Sequence, residues 1–599
     1  MCGIAAYVGQ RDAYPILINA LGRVEYRGYD SCGIAICDNH KFQVLKNLGY
    51  VQELQEKYSA IPGTVGIGHT RWSTVGQPSV LNAHPHLDCE DTIAIVHNGD
   101  IDNYYQLRER LLHEGHQFKS DTDSEVLAHL IEQRVKEDKD LLVGVTEALK
   151  EIEGTYGLVV MDLASEVLVA ARREAPLVIG VGQSENLVAS DVPAILETTE
   201  KVIYLEDGDI ATVSAEEFQI WHREIPSTRK IHAVTWSPQD LDKAGYEHFM
   251  LKEIHEQPRV IRDTLAGRIL STAPGVNLGI DLSKYGKPEE ILLLACGSAY
   301  HACLVGQHFL SSFASCPVST RIASESEIIR PAKMGAWAIV VSQSGETADT
   351  ISAARAARNA GYFTLAVTNN TDSSITRAVH EVLYTQAGPE MSVAATKTFL
   401  AQLTALYLLG LSLFPPPLNT LHNTLSELRL LPAKIQRVIG MAEQFQSLAR
   451  NLAGVGSLFI VGKGINYPIT LEGSLKFKEV AYIHAEGYPA GELKHGTFAL
   501  LGMDTPVIAI MSKDDTYARL LNTVKEIKSR GAPVIALTDS FDGEVSQLVD
   551  YVVRLPITEP LISPVINSVA LQLLAYYSAR VKECPIDRPR NLAKSVTVH

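Results

Sequence analysis

The sequence predicts an α/β protein of several domains: a strand-rich N-terminal region, then two similar units that each hold a parallel sheet between helices. The chain has 599 residues, and at roughly 100–200 residues per domain this length suggests three or four domains. Short apolar runs alternate with turn residues over residues 1–230, and two later stretches repeat each other. Hydrophobic residues make up 46% and charged residues 20% of the chain, which is an ordinary globular composition.

The N-terminal region, residues 1–230, contains apolar runs with the length of strands and turn residues at their ends. These runs cover residues 3–9, 32–37, 64–70, 92–98 and 156–162. Helices are predicted between them at about 103–114 and 123–136. Residues 225–247 are mixed and polar, with Pro226, Pro238 and no clear period, and we place a linker at 231–247. A helical pattern follows at 248–269.

The rest of the chain contains an internal repeat. Matched residues in the two copies have similar offsets: Gly297 to Gly462 is 165 residues, and Ser342 to Ser512 and Thr368 to Thr538 are each 170. The pairs are 291–300 with 457–467, 338–347 with 507–516, and 363–369 with 533–539. Buried strands alternate with helices in both copies, which indicates parallel α/β sandwiches that bind ligands at the carboxyl ends of their strands. The predicted bounds are 248–430, with its leading helix, and 431–585, followed by a tail at 586–599.

Composition excludes several classes of function. The chain has 53 basic and 69 acidic residues and a net charge of −16, which disfavours nucleic-acid binding. Its eight cysteines are sparse and form no CxxC pair, so we expect a reducing compartment and no zinc ribbon. No apolar run reaches about 18 residues and no basic segment precedes an apolar one, so we expect a cytoplasmic protein without membrane span or signal peptide. No metal-ligand cluster, P-loop or dinucleotide fingerprint is visible, and we expect no metal and no cofactor.

Cys2 directly follows Met1. If Met1 is removed, Cys2 carries a free α-amine with a pKa of about 7.7–8.0, and one residue supplies both a thiol nucleophile and a base. The alternative is a small buried residue that opens a strand, and position alone favours that alternative.

Four further motifs follow MCGI in order: RGYDSCGIA (27–35), GHTRWST (68–74), HNGDIDNY (97–104) and DTDSEV (121–126). Together they resemble the class II glutamine amidotransferases, whose glutaminase domain has the N-terminal-nucleophile αββα fold. The resemblance covers residues 1–230. Because five motifs in order are far more specific than any one of them, it favours the functional interpretation of Cys2.

The resemblance implies a role for each matched residue. Cys2 attacks the glutamine carboxamide, and Asn98 and Gly99 form the oxyanion hole. Arg71 binds the α-carboxylate of glutamine and Asp123 its α-amine. Trp72 lies beside Arg71 and is expected to gate the passage of ammonia. The structural alternatives are a surface ion pair for Arg71 and a helix N-cap for Asp123.

A polar loop follows the apolar strand AIVV and precedes a helical pattern. It contains Ser342, Gln343, Ser344, Gly345 and Thr347. Hydroxyls and free backbone N–H groups at a helix N-terminus favour a phosphate. The alternative is helix capping with Glu346 in a capping box. In the second copy, Asp514 and Tyr517 stand where the first has Ser344 and Thr347, so we expect only the first loop to bind phosphate.

The two repeated units resemble sugar isomerase (SIS) domains, which bind phosphosugars. A glutaminase domain followed by two SIS domains, and the ending CPIDRPRNLAKSVTV (584–598), are similar to the glucosamine-6-phosphate synthase family. The resemblance implies that Lys594 forms a Schiff base with the keto sugar. It also implies that Glu479 moves the proton between C1 and C2 and that His495 helps to open the sugar ring.

Further sugar-phosphate contacts are implied at Ser298, Val393, Lys476 and Ala593. Glu472, Lys476 and Glu479 are spaced to share one helix face. The structural alternatives are a solvated ion-pair ladder for that face, a structural histidine for His495 and a disordered tail charge for Lys594.

The chain departs from the family pattern in the sugar half, with Ser298–Ala299, Ser392, Ala395 and Thr497 where the family usually has Thr-Ser, Gly, Ser and Pro. Ala299 and Ala395 each remove a hydroxyl, and one lost hydrogen bond costs about 0.5–1.5 kcal/mol.

We expect glutamine hydrolysis coupled to amination of fructose 6-phosphate, giving glucosamine 6-phosphate, by a homodimer. The alternatives are a paralogous amidotransferase for another phosphosugar and a phosphosugar-sensing protein without synthase activity.

Overall fold

The computed structural model describes residues 2–138, 140–234, 238–270, 273–326, 329–371 and 373–595. The chain forms two compact units, one of residues up to Asp242 together with the tail from Ala593, and one of Lys243–Leu592. The division falls inside the predicted linker 231–247, of which residues 235–237 lie outside the described residues. The predicted domain bounds remain predictions.

The first unit contains fifteen strands and five α-helices among its described residues. The strands are β1 Gly3–Val8, β2 Ser31–Asp38, β3 Lys41–Leu48, β4 Val65–Arg71, β5 His86–Leu87, β6 Ile93–Asn98, β7 Tyr156–Asp162, β8 Leu168–Arg173, β9 Val178–Val181, β10 Asn186–Ala189, β11 Lys201–Tyr204, β12 Asp209–Val213, β13 Phe218–His222, β14 Ile225–Ser227 and β15 His232–Ala233. The helices are α1 Ala13–Val24, α2 Val51–Lys57, α3 Tyr104–His113, α4 Glu125–Asp138 and α5 Leu141–Lys150.

Two antiparallel sheets pack face to face in this unit. Their strand orders are β15-β11-β9-β10-β1-β4-β2-β3 and β14-β13-β12-β8-β7-β6-β5. Ile67 of β4 points into the core between the sheets, whereas Gly66 and Gly68 face α1. A Cβ at either glycine would lie 2.8 Å from Leu17 or Leu21, so their small size allows α1 to pack closely on the sheet. Helices α3, α4 and α5 cover the outer face of the second sheet, which completes an αββα arrangement.

The second unit contains ten strands and eleven α-helices among its described residues. The strands are β16 Glu290–Ala295, β17 Val318–Ile322, β18 Ala336–Ser342, β19 Phe363–Thr368, β20 Glu381–Tyr384, β21 Ser457–Gly462, β22 His484–Pro489, β23 Val507–Met511, β24 Val534–Thr538 and β25 Tyr551–Arg554. The helices are α6 Phe249–Leu265, α7 Gly297–Ser311, α8 Ala348–Asn359, α9 Ser374–Ala378, α10 Lys397–Leu413, α11 Leu418–Ile439, α12 Ala442–Leu452, α13 Tyr467–Ala481, α14 Tyr517–Lys528, α15 Gly543–Leu548 and α16 Ser563–Val581.

The repeat in the sequence corresponds to two parallel five-stranded sheets of identical topology. Their orders are β17-β16-β18-β19-β20 and β22-β21-β23-β24-β25. Each sheet is covered by helices on both faces, as near-continuous apolar strands require. Helices α10 and α16 occupy corresponding places in the two halves and are buried on almost every side. One apolar core runs through both halves, so they form a single packed body.

Predicted elements agree with the observed ones where the apolar pattern is strong. The run at 156–162 coincides with β7, and the predicted helices at 103–114 and 123–136 correspond to α3 and α4. Strands β8 to β15 were not predicted, because their apolar runs are short and lie between polar turns. Among the described residues no helix is both long and apolar enough to cross a membrane.

Phe477 on α13 is fully buried in the core that the two parallel sheets share, and its neighbour Lys478 is exposed. We expect Phe477→Ala to lower the free energy of unfolding of the second unit by about 3–5 kcal/mol, because it removes an aromatic ring and leaves a cavity. Lys478→Ala is the matched control and should change it by less than about 0.5 kcal/mol. Chemical denaturation of the full chain measures both, and equal effects would contradict a shared core at Phe477.

Candidate functional site

The first cluster of candidate residues lies at the start of β1. Gly3 of β1 pairs with Thr70 of β4, and this antiparallel register brings Cys2 beside the end of β4. The Trp72 amide donates to Cys2 Sγ at 3.2 Å, and the thiol donates to the Trp72 carbonyl oxygen at 3.4 Å. Burial raises the pKa of the Cys2 thiol, while the Trp72 amide and the charge of Arg71 lower it. The thiol therefore needs a nearby base to become a nucleophile.

Asn98 ends β6 and reaches the same place. Its Nδ2 donates to the Cys2 carbonyl oxygen at 2.9 Å, which leaves its second N–H for another acceptor. His69 Nε2 lies 3.0 Å from both Asn98 Oδ1 and the His97 carbonyl oxygen, so this nitrogen carries the proton and donates. Burial lowers the pKa of His69 to about 3, which keeps the ring neutral. His69 thus fixes the orientation of the Asn98 amide.

Gly99 has a φ of +124°, a backbone conformation that favours glycine. A Cβ there would lie 2.2 Å from the Thr155 carbonyl oxygen. Any side chain would therefore displace the backbone that carries the Gly99 N–H next to Asn98.

Arg71 ends β4 and is 4% exposed. Its Nη2 donates to the carbonyl oxygens of Val75 and Gly76, but its buried Nη1 has no hydrogen-bond partner among the described residues. Burial lowers the pKa of Arg71, and the charges of Cys2 and Asp123 oppose that effect. The surface ion pair considered for Arg71 does not occur. A buried, unpartnered guanidinium N–H is suited to a ligand carboxylate.

Asp123 precedes α4 but does not cap it. Its Oδ2 accepts from the Ile101 amide at 3.0 Å, and its Oδ1 accepts from the Ser124 hydroxyl at 3.3 Å. The helix-cap interpretation of Asp123 is therefore wrong, because the carboxylate holds the loop after β6 instead. The structure places six of the predicted residues near one another, and their roles in catalysis and binding remain predictions: Cys2, Arg71, Trp72, Asn98, Gly99 and Asp123.

The polar loop of the second unit lies between β18 and α8. The Ser342 hydroxyl accepts from the Gly345 amide at 3.1 Å and lies 3.3 Å from Thr347 Oγ1. Ser344 Oγ accepts from the Glu346 amide at 3.1 Å. Thr347 is the N-cap of α8 but makes no side-chain capping bond. The hydroxyls are thus gathered at a helix N-terminus, which suits a phosphate.

Glu346 does not form the capping box that was considered for α8. Its carboxylate accepts from the Ser374 amide at 2.8 Å and from the Ser374 hydroxyl at 2.6 Å, at the start of α9. In the second copy, Asp514 Oδ1 accepts from both the amide and the hydroxyl of Thr516 at 2.7 Å. The carboxylate of Asp514 thus occupies donors of its own loop, and the absence of a phosphate site there remains a prediction.

Glu472, Lys476 and Glu479 share one face of α13, against the start of α7. Lys476 Nζ lies 2.6 Å from Glu479 Oε2 and 3.3 Å from Glu472 Oε1. Ser298 donates to Glu472 Oε1 at 2.9 Å, and His301 Nδ1 lies 2.8 Å from Glu472 Oε2. The side chains of Glu472 and Lys476 are 2% and 1% exposed, so the solvated-ladder interpretation is wrong.

Electrostatic interactions hold Glu472 and Lys476 in their charged forms. Burial raises the pKa of Glu472, but the charge of Lys476 and the hydrogen bonds from His301 and Ser298 outweigh burial and lower it. Burial lowers the pKa of Lys476, but the two glutamates outweigh that effect and raise it. Lys476 is therefore a fixed cation beside Glu479.

The other predicted sugar-site residues lie on separate segments of the chain. The Val393 amide donates to the Asp587 carbonyl oxygen at 3.2 Å, and Gln343 accepts through its backbone from Asn369. His495 is exposed at the end of the 3-10 helix Ala490–His495. Ala593 and Lys594 belong to the tail grouped with the first unit, so the second unit by itself does not contain them.

Sequence reasoning missed two residues. His69 lies inside the quoted motif GHTRWST, and His301 follows Ser298 by one helical turn in CGSAYHA. Neither had a role assigned, because a lone histidine in a strand or helix gives no signal until its partners are known.

Asn98→Ala should lower glutaminase kcat by about 10²–10³-fold, the usual loss for one oxyanion-hole donor. His69→Ala should cause a smaller loss, because it only frees the amide to rotate. The double variant should then be no slower than Asn98→Ala alone, since both changes act through one group. Steady-state release of glutamate measures this, with His113→Ala at the exposed end of α3 as the control. Additive losses would contradict a positioning role for His69.

Burial lowers the pKa values of His69, His84, His86 and His97 in the first unit. In the unfolded chain these side chains take up protons as pH falls through about 6.5. Because the unfolded state then binds more protons, the first unit should lose stability as pH falls from about 8 to about 5.5. Denaturation midpoints measured across this range check the sign, and a constant or rising midpoint would contradict it.

Comparison with known proteins identifies the same modules. A family model described as glutamine amidotransferase domain matches residues 69–197. The SIS domain model matches residues 284–412 and 451–582.

Full-length relatives are also similar to this chain. The glutamine–fructose-6-phosphate aminotransferase [isomerizing] of Caldanaerobacter subterraneus subsp. tengcongensis is 45% identical over 100% of both chains. The protein of the same name in Methanosarcina acetivorans is 45% identical over the same share of both chains. A solved C-terminal domain of glucosamine-fructose-6-phosphate aminotransferase from Francisella tularensis is 31% identical, with a TM-score of 0.55, and covers 58% of this chain and 100% of that one. These matches confirm the predicted fold class, and the chain belongs to the family of isomerizing glutamine–fructose-6-phosphate aminotransferases, which are enzymes.

Proposed function

We propose that this enzyme hydrolyses glutamine at Cys2 and transfers the ammonia to fructose 6-phosphate, giving glutamate and glucosamine 6-phosphate. The observation that carries the proposal is one chain that combines the Cys2–Asn98 glutaminase cluster with two SIS domains, one of which has a hydroxyl-rich loop at a helix N-terminus. No metal or cofactor is included in the proposal.

In the glutaminase half, Arg71 binds the α-carboxylate of glutamine and Asp123 its α-amine. Cys2 Sγ attacks the carboxamide carbon, and the oxyanion accepts hydrogen bonds from Asn98 Nδ2 and the Gly99 N–H. The C–N bond breaks, ammonia leaves, and water hydrolyses the thioester to glutamate. The base is the Cys2 α-amine, which requires the removal of Met1, a residue outside the described range. The unpartnered Nη1 of Arg71 and the second N–H of Asn98 support these roles.

In the sugar half, Ser342, Gln343, Ser344 and Thr347 bind the phosphate, and Ser298, Val393, Lys476 and Ala593 complete the site. Lys594 forms an imine with the C2 carbonyl, and ammonia replaces the lysine. Glu479 moves a proton from C1 to C2, which converts the ketose imine into the aldose amine. The buried contact of Glu479 with Lys476 supports its role, because it fixes the carboxylate in one position.

A different phosphosugar acceptor remains the alternative, and a specific observation favours it. Ala299 on α7 and Ala395 before α10 are partly exposed and carry no hydroxyl where the family usually has serine. The intact glutaminase cluster argues against a sensor without synthase activity.

We also propose that the enzyme is a homodimer and acts in the cytoplasm. His495 is proposed to help open the sugar ring across the dimer interface. Its exposure at the end of a short helix is consistent with that role.

Lys594→Ala should abolish glucosamine 6-phosphate formation while glutamine hydrolysis continues, because the lysine serves only the sugar half. Wild-type enzyme with glutamine and fructose 6-phosphate should form glutamate and glucosamine 6-phosphate in near-equal amounts. Lys582→Ala, at the end of α16, is the control and should keep both products. If the wild type forms glutamate but no amino sugar, fructose 6-phosphate is not the acceptor. If Lys594→Ala loses both products while the control keeps them, the role of Lys594 in the sugar half alone is wrong.

Ala395→Ser and Ala299→Ser should each lower KM for fructose 6-phosphate by up to about 10-fold, because each restores one hydrogen bond of about 0.5–1.5 kcal/mol. Wild type and variants are compared with fructose 6-phosphate and with other ketose phosphates. If the wild type turns over another ketose phosphate far better, that sugar and not fructose 6-phosphate is the substrate.

A further inference from the structure

A cluster of four metal-binding side chains lies in the first unit, outside the glutaminase residues. Cys89 follows β5, His116 follows α3, and His129 and Glu132 lie on α4. One ligand atom from each of them lies within 4.8 Å of all the others. His129 and Glu132 are 1% and 2% exposed, so half of the cluster is buried.

Four of the six separations between the ligand atoms are close to the edges of a tetrahedron around a small cation, and the other two are at most 4.8 Å. Glu132 Oε2 lies 3.1 Å from His116 Nδ1 and 3.4 Å from His129 Nδ1. Cys89 Sγ lies 3.6 Å and 3.4 Å from the same two nitrogens. Tetrahedral zinc bonds of about 2.0–2.3 Å place neighbouring ligand atoms about 3.3–3.8 Å apart. A cation at the centre would need only small shifts of these side chains.

We propose that Cys89, His116, His129 and Glu132 bind a structural Zn²⁺ ion. One thiolate, one carboxylate and two neutral imidazoles balance the charge of the ion. Sulfur and nitrogen ligands in tetrahedral arrangement favour Zn²⁺ over Mg²⁺ and Ca²⁺, which prefer more numerous oxygen ligands. Four protein ligands leave no open position, so the site is structural and not catalytic.

Outer contacts hold the ligands in place. The Gln117 amide donates to Cys89 Sγ at 3.4 Å, and the Cys89 amide donates to Glu132 Oε2 at 3.2 Å. Lys136 donates to the other oxygen, Oε1, of Glu132 at 2.9 Å. His129 Nε2 lies 3.6 Å from Glu125 Oε1, just beyond hydrogen-bond distance, so a small shift would form the carboxylate–histidine contact that orients a zinc-bound imidazole.

The ion would join segments that carry the glutamine site. Cys89 belongs to the turn between β5 and β6, and β6 ends at Asn98. His116 opens the connection from α3 to α4, which carries Asp123. Zinc therefore links the turn before the oxyanion-hole strand to the loop with the proposed α-amine ligand. A bound zinc ion would contradict the sequence-based expectation of no metal.

The test is metal binding by the full chain, prepared metal-free with a chelator under reducing conditions and then given Zn²⁺. After desalting, mass spectrometry of the metal should find one zinc per chain. Co²⁺ in place of Zn²⁺ should give the absorption of a tetrahedral site, with a sulfur-to-cobalt charge-transfer band. Cys89→Ser should remove that band, and both Cys89→Ser and His116→Ala should weaken zinc binding by more than the roughly 10–100-fold that losing an outer partner costs.

Matched controls are Cys37→Ser and His113→Ala, which change the same residue types outside the cluster and should bind zinc as the wild type does. Wild-type chain that retains no zinc, or Co²⁺ absorption without a sulfur band, overturns the proposal. Equal binding by Cys89→Ser and wild type also overturns it, whether or not the variant is active. Because these readouts do not involve turnover, they are independent of the proposed synthase activity.

Zinc should also raise the denaturation midpoint of the first unit, as a ligand specific for the folded state does. Zinc should also lower KM for glutamine with little change in kcat. The reason is that the ion orders the loop that carries Asp123 and does not order Cys2, the proposed nucleophile. The midpoint of Cys89→Ser should no longer respond to zinc. A wild-type midpoint that zinc leaves unchanged would overturn the structural role.

Discussion

The register between β1 and β4 is the constraint on which the glutaminase site depends. β1 is paired on both sides, with β10 and β4, and its residues are buried. Pairing Gly3 with Thr70 leaves Cys2 opposite the end of β4, where Arg71 and Trp72 follow. A shift of one residue would turn every side chain of β1 to the other face of the sheet. The core of the domain thus positions Cys2, and the two hydrogen bonds between its thiol and the backbone of Trp72 follow from that register.

The second sheet supplies the complementary half of the site. β6 packs against β1 and β4, and Asn98 at its end donates to the Cys2 carbonyl oxygen. Neutral His69 donates to the side-chain oxygen of Asn98 and fixes the orientation of that amide. Catalytic donors of this kind are effective because they are oriented before substrate arrives. Burial lowers the pKa values of the histidines around this arrangement, so the stability of the folded site depends on pH even though the site is well packed.

The two SIS units show how one topology supports different chemistry. Strand order is identical in both, but the loop of the first unit presents hydroxyls, whereas Asp514 closes the loop of the second. The second unit instead contributes the α13 face, where Lys476 and Glu472 are buried against Ser298 of the first. Because this face of α13 is buried, its charged side chains must be paired and held in fixed geometry, which they would not need on a solvated surface.

The sequence by itself determined the fold class, the repeat and the family, because apolar periodicity and ordered motifs are local properties of the chain. The set of glutaminase residues is a prediction from the same motifs. It left the role of Asp123 open between cap and ligand, and it gave no sign of His69 as a partner of Asn98. The proposed zinc cluster was equally invisible, since Cys89, His116 and His129 are far apart in the chain and match no compact metal motif. Only the tertiary structure shows that Asp123 accepts from the Ile101 amide, that His69 contacts Asn98 and that the four side chains of the proposed cluster meet. The reason is that the packing of sheets and helices sets which distant side chains meet and which charges are buried.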